Sequence, residues 1–293
     1  MSIFTVHRDN VKLTGRIAGD EVAPCTGLLI HGLNTNIAFW HPALVRALGN
    51  SHRLLMYDQR GHGYSDMPPT GYSCAELAQD ALAILDSHQV ATADVIAHSF
   101  GSGVALKLAQ LFPDRVRSLT ILDGRVRCFQ PDVRIGDWSH FPRWSAHFEQ
   151  GGVHLDPAWE LDCTLPLRFE GLDLSRVDNS LAADGFFVPI YSSRALAKYR
   201  KLLTETSALE DFRSPNDLTQ EDVRQVRQPT ALIYGAISPF LPTGHALAAD
   251  LPNGSLQILE GCGHNFPFNH PLRTTNAIEA ANAGFTPSHQ CQR

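Results

Sequence analysis

The 293-residue sequence has no apolar run approaching the roughly 20 residues that cross a bilayer. Its first ten residues, MSIFTVHRDN, lack the basic stretch leading into an apolar one that marks a secretory leader. The expectation is a cytoplasmic protein with no membrane partner. Basic clusters are missing too: 24 Lys and Arg stand against 30 Asp and Glu, a formal net charge of -6, so no nucleic-acid partner is expected. The six cysteines, Cys25, Cys74, Cys128, Cys163, Cys262 and Cys291, contain no C-x-x-C pair. Their scatter fits reduced, mostly buried thiols better than a disulfide frame, and it excludes a clustered zinc site. H-E-x-x-H, G-x-G-x-x-G and the P-loop pattern are all absent, so neither a metal nor a nucleotide cofactor is implied. Repeats and low-complexity tracts are missing as well. What remains is an ordinary globular composition, 43% hydrophobic and 18% charged, that can bury a large core and is compatible with a homo-oligomer.

Short apolar runs recur at TGLLIHG (26–32), RLLMYD (53–58), ADVIAHS (93–99), SLTILDG (118–124), TALIYG (230–235) and SLQILEG (255–261). Each reads as a buried strand that ends in polar or small residues. Helical patterns lie between them at 75–90, 102–112 and 244–251. Such alternation predicts an α/β fold, a mostly parallel sheet with helices on both faces. The alternation fails from about 125 to 225, a segment holding Trp138, Trp144 and Trp159 with Phe129, Phe141, Phe148, Phe169, Phe186 and Phe187. The expected organisation is therefore a core of residues 1–124 and 226–293, with a cap of residues 125–225 inserted between two strands. Most of these aromatics should form the cap's own core, while some, with the three tryptophans as candidates, face down and wall an apolar pocket.

One stretch carries chemistry. In VIAHSFGSGVA (95–105) a strand runs into a His-Ser pair and then a helix, with small residues Ala97 and Gly101 flanking Ser99. A sharp strand-to-helix turn there holds the Ser99 hydroxyl exposed and aims the Phe100 N–H at the same point. Upstream, HGLN offers the Leu33 N–H as a second donor to an oxyanion, and downstream GCGHNFPFNHP places His264 on a Gly-rich loop. A serine between small residues by itself is only a helix cap. The combination of three such segments is what singles out this one.

The segments HGLN, YDQRGHGYSD, AHSFG, LDG and GCGHNFPFNHP resemble the α/β-hydrolase superfamily over nearly the full chain. The resemblance implies an eight-stranded-type, mostly parallel sheet with a largely helical cap between the sixth and seventh strands. It also implies a serine nucleophile, an acid and a histidine in that chain order. Relatives commonly carry YGxxD after the seventh strand, where this sequence has YGAIS, so Ser238 stands at the usual place of the acid. A serine can accept a bond from the imidazole but cannot stabilise an imidazolium by charge. Asp123, at the end of the sixth strand, is the candidate acid, with a Ser99–His264 dyad as the alternative.

The function implied is hydrolysis through an acyl-enzyme, with an ester, thioester, lactone or vinylogous carbon–carbon bond cleaved in a small, largely apolar carbonyl compound. Serine at 99 argues against the Asp-nucleophile dehalogenases and epoxide hydrolases of this fold. Two rivals stay open: a cofactor-free dioxygenase of heteroaromatic compounds, whose acid also ends the sixth strand, and a non-catalytic ligand receptor. Asn34 and His98 are candidates for substrate contact, although turn formation and local packing are their commoner roles. Asp58 and Arg60 read as a structural turn. Arg125 and Arg127 are expected on the solvated surface, with anchorage of a substrate carboxylate or phosphate as the other role considered.

Overall fold

A computed structural model describes residues 2–177 and 192–283, so Phe186, Phe187 and Cys291 lie outside the described residues. Eight strands form one sheet in the order β1-β2-β4-β3-β5-β6-β7-β8. They are β1 (Ser2–Arg8), β2 (Val11–Gly19), β3 (Cys25–Ile30), β4 (His52–Tyr57), β5 (Ala93–His98), β6 (Val116–Leu122), β7 (Thr230–Gly235) and β8 (Gly254–Leu259). From β4 to β8 across the sheet every neighbouring pair is parallel, while β1 and β2 form an antiparallel hairpin that joins β4. That hairpin turns at Asp9 and Asn10, with φ of 50° and 64°. Two consecutive left-handed residues suit the twist of a tight hairpin, and Asp and Asn tolerate that conformation.

The apolar runs are continuous because both sheet faces are covered. Leu28, Leu55, Val95, Ile121 and Leu232 enter one buried cluster, and their neighbours Leu29, Leu54, Ile96, Leu122 and Ile233 enter another. This is the period-two alternation of a pleated strand with apolar partners on each side. The first cluster is closed by α2 (Cys74–Ser87), α3 (Gly101–Leu111) and α9 (Leu241–Asp250), and the second by α1 (Pro42–Leu48) and α11 (Pro271–Ala283). Ser73 caps α2 by accepting the Glu76 N–H at 3.2 Å.

Between β6 and β7 the described residues form helices and turns: α4 (Phe141–Gln150), α5 (Leu165–Arg168), α6 (Ser193–Glu205), α7 (Ala208–Arg213) and α8 (Gln220–Gln225). A short helix, α10 (Phe266–Asn269), follows β8. The aromatics of the inserted segment pack on one another, with Trp144 against Phe148 at 5.1 Å and Trp159 edge-on to Phe169 at 5.8 Å. Three buried charged residues brace the core beneath: Arg60 holds Asp80 in a two-pronged pair at 2.6 Å for each contact, and Asp58 accepts the N–H groups of Ile37 and Tyr64. The expectation of six reduced cysteines is corrected at Cys25, which is disulfide-bonded. Cys74, Cys128, Cys163 and Cys262 are free thiols. No helix among the described residues is long and apolar enough to cross a membrane.

Candidate active site

Strand order reverses around β3, which has β4 on one side and β5 on the other. In open α/β sheets a crevice opens at the carboxyl ends of the strands at such a point. Leu33 follows β3, Ser99 follows β5, Asp123 follows β6 and His264 follows β8, so four strand ends deliver their loops to one place.

Ser99 sits at φ of 54°, in the left-handed region that non-glycine residues avoid. Its N–H is held by the Leu122 carbonyl at 3.1 Å. The turn is possible only because its neighbours are small. A Cβ on Gly101 would lie 2.6 Å from the carbonyl oxygens of Ile30 and His31, and one on Gly32 would lie 2.9 Å from the Ser99 Cβ. The serine is therefore locked by close backbone approach as well as by hydrogen bonds.

The Ser99 Oγ lies 3.0 Å from His264 Nε2, and His264 Nδ1 lies 2.7 Å from Asp123 Oδ2. Asp123 is fully buried and has a φ of 49°. Its other oxygen accepts the Gly235 N–H at 2.9 Å, and Oδ2 also accepts the Ser238 hydroxyl in a short bond. Ser238 in turn accepts the Phe240 N–H at 3.1 Å. The residue at the usual acid position thus bonds the carboxylate and not the imidazole. Three donors, the Gly235 N–H, the Ser238 hydroxyl and the His264 ring, converge on Asp123 and fix its direction.

His264 is flanked by rings. Phe240 meets it edge-on at 4.6 Å, and His98 lies at 4.7 Å on another side. His98 stacks on Phe39 at 4.3 Å, and its Nε2 contacts the His264 carbonyl at 2.9 Å. Burial pushes the His98 pKa well below its usual value, so a neutral ring donates that bond and steadies the loop carrying His264.

The Leu33 turn rests on two more buried histidines. His31 Nε2 accepts the Gln59 N–H at 3.1 Å while its Nδ1 faces the Gly32 carbonyl at 2.8 Å. His62 Nε2 accepts the Asn34 N–H at 3.2 Å while its Nδ1 faces the Arg60 carbonyl at 3.1 Å. Each ring therefore needs a bare Nε2. Burial lowers the pKa of His31 to about 4 and that of His62 to about 3. Both folded values lie below the ordinary 6.5, so the unfolded chain binds more protons and stability is complete above that pH. As pH falls from 6.5 toward 4, unfolding free energy should drop by up to about 1.4 kcal/mol per pH unit for each histidine. Urea midpoints measured from pH 7 down to about 5 check this, and a flat profile would contradict it.

A cavity of about 480 Å³ opens over Ser99 and His264. Leu33, Asn34, His98, Phe100, Arg125, Trp138 and Trp144 border it; Trp159 does not, and packs edge-on to Phe169. The Leu33 and Phe100 N–H groups, both at the cavity, donate no hydrogen bond among the described residues. Arg125 departs from the expected solvated surface. Its own N–H bonds the Ser99 carbonyl at 3.4 Å, which puts the residue at the elbow and its side chain in the cavity wall. Sequence reasoning missed Phe240, Tyr199, Asp162 and Asp217 as lining residues. Only Phe240 had a signal, its position just past the carboxyl end of a buried strand. No group of three or more metal-ligating side chains occurs among the described residues.

The chain belongs to the alpha/beta hydrolase fold family, which it matches over residues 28–271. It is similar to a protein of Caulobacter vibrioides described as a candidate carbamate hydrolase, RutD, with 37% identity over 281 residues, 95% of this chain and 96% of that one. It also resembles the 2-hydroxymuconate semialdehyde hydrolase of Pseudomonas putida, at 26% identity over 78% of this chain and 76% of that one. Among solved structures, the enol-lactonase from Burkholderia xenovorans LB400 shares the fold with a TM-score of 0.65 and 19% identity, over 94% of this chain and 98% of that one.

Proposed function

We propose that the protein is a serine hydrolase in which Ser99, His264 and Asp123 act as nucleophile, base and acid. The observation that carries this reading is the continuous hydrogen-bonded chain from Asp123 through His264 to Ser99, with links of 2.7 and 3.0 Å. His264 Nε2 takes the Ser99 proton as Oγ attacks a carbonyl carbon, and Asp123 holds the proton on Nδ1 and stabilises the imidazolium that forms. The Leu33 and Phe100 N–H groups receive the developing oxyanion. The imidazolium then protonates the leaving group, leaving an acyl group on Ser99. A water deprotonated by His264 releases the acid and restores the serine.

The bond broken is an ester, thioester, lactone, carbamate or activated carbon–carbon bond. The carbamate is drawn from the name of the carbamate hydrolase to which the chain is similar, and the others are the bonds expected from the sequence. Residues 125–225 act as a cap whose Trp138 and Trp144 face the apolar part of the substrate.

Incubation with a small fluorophosphonate, followed by intact mass, tests the activated serine. The expected result is one adduct, with fluoride displaced by Ser99 Oγ, that is absent in Ser99→Ala and strongly slowed in His264→Ala. Folded wild-type protein that gives no adduct would contradict the reading and favour the dioxygenase or receptor alternatives.

A further inference from the structure

Several buried or half-buried arginines among the described residues are matched with carboxylates. Arg60 and Arg8 meet Asp80, Arg117 meets Asp94, and Arg213 meets Asp162 and Glu160. Arg125 is the exception at the cavity. It forms no ion pair among the described residues, and its one side-chain hydrogen bond runs from Nη2 to the Gln130 carbonyl at 3.3 Å. Its Nε is buried without a partner. Taking a guanidinium from water without an anion is costly, and arginine cannot escape by losing its proton.

The carboxylates that border the same cavity are already engaged. Asp162 accepts Arg213 Nε at 2.7 Å and the Thr164 N–H at 2.7 Å, and Asp217 accepts the Cys74 N–H at 2.6 Å. Arg127, also in the wall, lies 3.7 Å from the exposed Asp132, which adds a second positive group to that side. The position of Arg125 relative to the chemistry is equally specific. Its guanidinium carbon lies 5.9 Å from the Phe240 ring centre, and the same ring meets His264 at 4.6 Å. One aromatic ring thus spaces the cation from the catalytic imidazole, the reach of a short acyl chain. Nη1 makes no hydrogen bond among the described residues, and the planar guanidinium is the shape that matches the two oxygens of a carboxylate.

We infer that Arg125 holds a carboxylate at the far end of the acyl group, so that the preferred substrates are short carbonyl compounds carrying a free carboxylate, such as half-esters of dicarboxylic acids. The inference rests on the serine-hydrolase reading and adds the substrate class. Arg125 is then a specificity-determining residue, and the apolar walls contact the methylene chain between the two ends.

The test compares kcat/KM for release of phenol from monophenyl glutarate with that from its methyl-capped diester, which has the same five-carbon acyl chain, one added methyl and no charge. Wild type should favour the free carboxylate by about 10- to 100-fold. In Arg125→Met the ratio should fall to near one, with the loss seen in KM; in Arg125→Lys, which keeps the charge without the fork, an intermediate ratio is expected. Because Arg125→Met could fail to fold, glutarate is also tested as an inhibitor of neutral-ester turnover by wild type, where competitive inhibition is expected. A wild-type ratio at or below one, no inhibition by glutarate, or an undiminished preference in folded Arg125→Met would overturn the inference. If the fluorophosphonate adduct at Ser99 still forms in that case, only the role of Arg125 fails. If the adduct is absent, the serine-hydrolase reading fails with it.

Discussion

Asp123→Asn should lower kcat by about 10⁴-fold, the cost seen when the residue orienting a catalytic histidine loses its charge but keeps its shape. An amide at 123 with its oxygen in the Oδ1 place can still accept the Gly235 N–H, and its NH2 in the Oδ2 place can donate to the Ser238 oxygen once that hydroxyl turns, so the site should stay folded. What it cannot do is stabilise an imidazolium, and its NH2 can turn the His264 ring to the wrong tautomer. The fold offers an unusual check, because Ser238 approaches the same carboxylate from the position where relatives commonly carry the acid. Adding Ser238→Asp to Asp123→Asn moves the charge across that short contact to a loop only a few residues beyond β7. The double variant should recover at least about tenfold in kcat over Asp123→Asn alone. Turnover by Asp123→Asn near the wild-type level, with Ser99→Ala inactive, would mean that a dyad or another carboxylate does the work.

Ser99→Ala should cost more, about 10⁶-fold in kcat, since no other hydroxyl meets His264 among the described residues. His264→Ala should match it to within about tenfold, and the double variant should be little worse than either single one. Non-additivity of this kind is the mark of residues that act as one unit. Two independent losses that multiply would show instead that His264 works on the substrate directly, as in the oxygenase alternative.

The site was largely legible in the sequence because its residues are tied to strand ends. A buried strand that stops in AHSFG, HGLN or LDG must deliver its next residues to the carboxyl edge of the sheet, and Ser99, Leu33 and Asp123 lie in those segments. The strands from β3 onward were readable for the same reason, as each is a short apolar run bounded by polar residues. The β1–β2 hairpin was not picked out, although Val11, Leu13 and Gly15 alternate and Asp9-Asn10 is a turn pair. With a Gly, a Lys and an Arg inside β2, the alternation is weak next to the continuous runs that follow.

What escaped the sequence depends on packing at a distance. Arg125 and Arg127 are two apart, and composition assigns both to solvent; only the contact of the Arg125 backbone with Ser99 places its side chain in the cavity. Trp138, Trp144 and Trp159 look alike in a segment without a clear period. Their different fates follow from how α4 and the turns around it pack, which puts Trp144 between the cavity and Phe148 and turns Trp159 away. Cys25 was likewise misjudged, because spacing alone cannot show which thiols meet in three dimensions.

The central claim is that Ser99 becomes acylated during turnover. The most direct measurement mixes wild-type protein with an excess of a phenyl ester that it hydrolyses, quenches in acid during the first turnover, and maps the peptides by mass. The account predicts the acyl group on the peptide that carries Ser99, formed with a burst of phenol and lost on further incubation. Phenol released without a burst, with Ser99 unmodified at every time point, would contradict it and assign His264 the direct activation of water.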